Sequence, residues 1–160
     1  MAKYKYTDLE RALVACHYYQ VNNNGGSHQK YVQSGTGLMQ PMPKHSNGIV
    51  APGTAESILD WVILGARILN INIVSDKYKL TDDIKNYVIK RHAEIGKNLA
   101  SLIPSSVKKE LKIETEAEVK AYVKKLLQMG KEYRLQHQKE FEFDDRKKSS
   151  LPANKNINQL

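Results

Sequence analysis

The longest apolar stretch of the chain, Ile58 to Leu69, sets the first limit on what it can fold into. Its twelve residues are interrupted by Asp60 and Arg67, too short and too charged a run to span a bilayer. Within it Ile58, Trp61, Val62, Gly65, Ile68 and Leu69 recur at helical spacing and trace the buried side of a helix. Pro52-Gly53-Thr54 introduces that helix, with Thr54 as the expected cap.

Upstream, Thr7-Asp8-Leu9-Glu10 has the form of a capping box, and Leu9, Ala12, Leu13 and Cys16 follow at helical spacing. The pattern then changes to strand-forming residues, Tyr18, Tyr19 and Val21, before Asn22 to Gly26 interrupts it with a turn. His28 to Gln33 alternates as a second strand. Its period puts His28, Lys30 and Val32 on one face and Gln29, Tyr31 and Gln33 on the other, with Tyr31 toward the core. Ser34-Gly35-Thr36-Gly37 reads as a second turn, and Leu38 to Met42 as a third strand that Pro41 and Pro43 confine to an edge or bring to an end. Residues 7 to 69 therefore read α-β-β-β-α.

Beyond Asn70 the pattern is helical. Thr81 caps a segment in which Ile84, Tyr87, Val88, Ile95, Leu99 and Leu102 recur, and Pro104 ends it or opens a short helix. Thr115-Glu116-Ala117-Glu118 is a second capping box, followed by the apolar stripe Val119, Tyr122, Val123, Leu126, Leu127 and Tyr133, which needs a surface to cover. From Asp144 onward charges, serines and asparagines replace the period, as in a disordered tail. The expected class is α+β, with a small α-β-β-β-α unit over residues 6–69, a helical extension over 80–143 and a tail over 144–160.

A chain of 160 residues with 41% apolar content can build one core of ordinary size. Its first residues lack the apolar run of a secretory signal, which makes the cytoplasm the expected location. The single cysteine, Cys16, excludes an intrachain disulfide and a cysteine metal cluster, and its place on the apolar side of a helix makes it a core residue. The net charge of +8 points to a polyanion such as nucleic acid, yet residues 1–60 carry five basic against four acidic residues, so the excess lies mostly in the second half.

The histidines, His17, His28, His45, His92 and His137, form no H-E-x-x-H motif and no zinc spacing, so neither a metal nor another cofactor is expected. There is no glycine-rich phosphate loop and no G-x-S-x-G elbow, and Ser27 reads as a turn residue. Asp82-Asp83 and Asp144-Asp145 read as a helix first-turn charge and a solvated tail, respectively.

Three short motifs coincide with the order of elements: Gly26-Ser27-His28 at the turn into the second strand, Pro43-Lys44-His45 after the third, and Pro52-Gly53-Thr54 with Ser57-Ile58-Leu59 at the last helix. Together they resemble the HicA toxins over residues 6 to 66. The resemblance implies a fold similar to a double-stranded RNA-binding domain and an mRNA-cleaving activity held inactive by a HicB-type antitoxin protein. His28 matches the family's catalytic histidine, and Gln29 stands where a second histidine usually follows. Ser27, Lys30, Lys44 and His45 are the residues expected beside the RNA, with Lys30 holding a phosphate. Such an endoribonuclease needs no metal, because a histidine with an ordinary pKa of about 6.5 can exchange protons with a ribose 2′-OH and a leaving 5′-oxygen at neutral pH. A second expectation, of a different class, is a non-catalytic nucleic-acid or protein interaction module, of viral or plasmid origin among the options, with the helical half as its partner surface.

Overall fold

The structure, a computed structural model, describes residues 2–21, 28–43 and 48–147. Among them it is a mixed α/β arrangement of six helices and a small antiparallel sheet of three strands. The first unit runs α1 (Tyr6–Ala15), β2 (Tyr18–Val21), β3 (His28–Gln33), β4 (Met39–Pro43) and α2 (Pro52–Leu69). A two-stranded ladder that the sequence pattern did not reveal, β1 (Tyr4–Lys5) with β5 (Ile49–Val50), pairs Tyr4 with Val50 just before each helix starts.

That ladder explains why Thr7 does not cap α1. Lys5 is extended to pair with Ile49, so the helix begins two residues early, and the Tyr6 N–H finds the Gly48 carbonyl at 2.7 Å. Lys5 thereby takes the N-cap place, and Thr7 lies inside the first turn rather than before it. Likewise α2 begins at Pro52 rather than after Thr54. Proline's fixed φ suits the first helical position and its missing N–H costs nothing there.

The sheet order is β2-β3-β4. Tyr18 and Tyr31 are buried on its inner face, where the Tyr18 hydroxyl donates to the Trp61 carbonyl at 3.0 Å. Gln33 is also buried there and holds three elements together. Its amide nitrogen donates to the carbonyls of Cys16 and Gly65 at 3.0 and 3.2 Å, while its oxygen accepts from Thr36. Gly65 permits this closeness, since a Cβ there would lie 2.7 Å from the Gln33 amide nitrogen. Cys16 is buried as expected for a core residue, and burial pushes its thiol well above the ordinary thiol range.

α2 is the centre of the molecule. Every residue from Trp61 to Leu69 is buried, because α1 and the sheet pack on it together with α3 (Asp82–Ile95), the 3-10 segment Leu99–Leu102 and α5 (Glu116–Gln136). The apolar stripe of α5 thus covers this chain's own first half. Each fully buried leucine or isoleucine contributes about 1.5–3 kcal/mol, so this shared burial is worth far more than any single surface contact.

The segment capped by Thr81 does not run on to Pro104. Gly96, at φ +54°, stops α3, and Leu99 and Leu102 bury themselves at the three-residue spacing of a 3-10 turn. α4 (Ser105–Glu110) then follows Pro104, and α5 starts on the complete capping box of Thr115 and Glu118.

The charged end of the chain also departs from expectation. Residues 142–147 form α6 (Glu142–Lys147), and Asp144 is buried rather than solvated. Its carboxylate accepts from the Tyr78 hydroxyl at 2.7 Å and the Asn72 N–H at 3.3 Å, partners 66 and 72 residues away that the local sequence could not announce. Residues 148–160 of the expected tail lie outside the described residues.

Candidate functional site

β3 carries the centre of the sequence-based site. It begins at His28, which the register sets opposite Pro43, so the chain enters β3 and leaves β4 at the same end of the sheet. Lys30 follows, exposed between Val21 on β2 and Pro41 on β4. Ser27, Lys44 and His45 lie outside the described residues.

Gln29 occupies the opposite face. Its side-chain oxygen accepts from the Tyr6 hydroxyl at 2.6 Å, beneath the sheet and against α1. A side chain at position 29 is therefore directed into the packing between sheet and helix, in phase with Tyr31 and Gln33. Tyr31 donates its hydroxyl to Glu10 in the same layer, and burial followed by the Glu10 and Tyr6 contacts pushes its pKa far up, so it stays protonated.

The other described histidines are engaged in packing. His92 is buried and accepts from the Arg67 guanidinium at 2.9 Å between α2 and α3. His137 donates from Nδ1 to the Tyr133 carbonyl at 2.9 Å and stacks on the Tyr133 ring. His17 stacks on Phe141, with its Nδ1 3.1 Å from the Tyr133 hydroxyl. Burial lowers the His17 pKa, with Glu140 and Asp144 acting against that shift. This imidazole and phenol cluster joins the first half of the chain to the end of α5, and nothing in the sequence pattern pointed to it.

Two surface features were also missed. Tyr19, Val32 and Met39 are cross-strand neighbours on the open face of the sheet, with Tyr19 and Met39 about half exposed. Beside β4 an open groove of about 370 Å³ is lined by Met39, Pro41, Trp61, Leu111 and Tyr122. The Leu38 carbonyl accepts from the Gln33 N–H at 2.8 Å, so residues 38, 40 and 42 turn their peptide groups inward and 39, 41 and 43 outward. Prolines at 41 and 43 remove two donors from that edge, which blocks strand addition and leaves the groove as the accessible feature.

Among the described residues no group of three histidine, cysteine or acidic side chains is placed to hold a metal ion, and no helix is long and apolar enough to cross a membrane. No family model, curated protein or solved structure matches the chain.

Proposed function

We propose that the chain is a HicA-type toxin whose first unit resembles a double-stranded RNA-binding domain and cleaves mRNA without metal at the end of the sheet where β3 begins. The observation that supports this reading is the register of the sheet: His28 opens β3 opposite Pro43, so the motif that ends at His28 and the one that starts at Pro43 come to the same end of the sheet. His28 takes the proton from a ribose 2′-OH, the 2′-oxygen attacks phosphorus, and the proton passes to the departing 5′-oxygen. Lys30, exposed two residues along the strand, offers a cation to the phosphate as its charge builds. Ser27, Lys44 and His45 complete the RNA contact in this reading, and a HicB-type antitoxin is the partner that silences the protein in the cytoplasm.

Gln29 bears on the mechanism. Because its side chain is bonded to Tyr6 on the inner face, His28 works without help from that position. Induced expression tests the reading: the wild type should arrest growth, and His28→Ala should relieve the arrest while accumulating as folded protein. Equal toxicity of the two proteins would remove His28 from the mechanism.

A second reading, a non-catalytic interaction module, is favoured by the groove beside β4 and its half-exposed Met39 and Leu111. It predicts harmless expression and a partner lost on Leu111→Glu. Deleting the helical half would be no test of it, since α5 covers α2.

A further inference from the structure

The outer side of α5 carries four lysines, with Glu116, Glu118 and Glu132 as the exposed acidic residues of the same helix. Val119, Leu126 and Gly130 are buried, and the exposed positions include Lys120, Lys124, Lys125, Gln128, Lys131 and Glu132. None of the four lysines forms an ion pair among the described residues. Glu132 accepts instead from the Gln128 amide at 3.2 Å. Lys120 and Lys124 stand one turn apart, the spacing at which like charges repel.

A solvated lysine face is ordinary on its own, but the direction of this one is informative. Tyr133 packs against Gly35 in the turn between β3 and β4, whereas Tyr122 shares the groove with Pro41, two residues from Pro43. α5 packs along α2, from Tyr122, which shares the groove with Trp61, to Gly130 against Ile68, and its Tyr133 reaches the turn between β3 and β4, so Lys131 lies toward that turn and Lys120 away from it. At 1.5 Å per residue the lysines span about 17 Å, long enough to follow several phosphates.

We propose that the lysine face of α5 holds the phosphate backbone of RNA and leads the strand toward the end of the sheet where His28 begins β3. This rests on the RNA-cleaving reading above, and assigns to the helical half the polyanion contact that the nearly neutral first sixty residues lack.

The test is binding of the full chain to a fluorescein-labelled 2′-O-methyl RNA of about twenty nucleotides, which cannot be cleaved, titrated at several salt concentrations. One variant replaces Lys120, Lys124, Lys125 and Lys131 by Gln, and a control replaces Lys3, Lys79, Lys90 and Lys97, exposed lysines elsewhere, so both lose the same charge. The α5 variant should bind about tenfold or more weakly, and its slope of log affinity against log salt should shrink by about 0.7 per contact removed. The control should stay within about twofold of wild type. If wild type binds and the two variants weaken alike, or not at all, the lysine face is not the RNA surface, while the RNA-cleaving reading stands. If wild type does not bind RNA, both fall. Circular dichroism checks folding; should the fourfold variant fail it, Lys124→Gln/Lys131→Gln against Lys90→Gln/Lys97→Gln makes the same comparison.

Discussion

His17 shows how much one residue can join. It sits at φ +66° between α1 and β2, its carbonyl accepts from the Ser34 N–H at 2.9 Å, and its ring lies against Phe141 and Tyr133 from the other end of the chain. Asparagine tolerates that backbone, so His17→Asn should lose only the ring contacts, about 1–2 kcal/mol by urea unfolding. His17→Val should cost about 1–2 kcal/mol more, because a β-branched residue resists positive φ. The ring also makes stability depend on pH. Its folded pKa lies below the ordinary 6.5, so between those two values the unfolded chain binds more protons and stability falls as pH falls. Wild type should lose urea resistance as pH drops from 6.5 through that lowered pKa, and His17→Asn should lose less. Glu140, Asp144, His137 and Lys77 face the same ring, and their charges set how wide the window is. None of this was legible locally, because Tyr133 and Phe141 lie more than a hundred residues away.

At the scale of elements, α5 meets α2 where Gly130 faces Ile68. Alanine at 130 should gain about 1 kcal/mol of helix propensity, yet its Cβ would stand 2.6 Å from the Ile68 carbonyl oxygen, a backbone atom that cannot turn aside. Overpacking of this kind costs about 1–3 kcal/mol or more, so the clash decides the sign. Gly130→Ala should lower the urea midpoint, whereas Gly53→Ala, with nothing within 4 Å, should leave it level or raise it. The sequence was a good guide where local chemistry decides. Thr115 and Glu118 form the expected capping box, and the prolines of β4 sit on an edge strand. It misled at Thr7 and Thr54, where a two-residue ladder and a proline start the helices instead, and at Leu99, where Gly96 had already ended α3.

For the whole molecule, the two halves share one core. Residues from Leu9 to Phe141 belong to a single buried cluster, and Asp144 ties α6 to the segment after α2. A chain ending at residue 106 would uncover Trp61, Ile68 and Leu69 on α2, and should lose cooperative unfolding. Asp144→Ala in the full chain should cost about 1–3 kcal/mol, since it leaves the Tyr78 hydroxyl and a buried N–H without their acceptor. Of the candidate site, the faces of β3 were readable from its period of two, which placed Lys30 outside and Tyr31 inside. The bond from Tyr6 to Gln29, which holds the side chain at position 29 on the inner face, needed the packing of α1 under the sheet.

Incubating the purified protein with RNA in excess EDTA, and analysing the ends of the fragments, tests the proposed cleavage mechanism most directly. Attack by the 2′-oxygen with proton exchange through His28 gives 2′,3′-cyclic phosphate and 5′-hydroxyl ends, undiminished by the chelator and reduced about 10² to 10⁴-fold by His28→Ala. Intact RNA, cleavage that EDTA abolishes, or equal cleavage by the His28→Ala protein would contradict it.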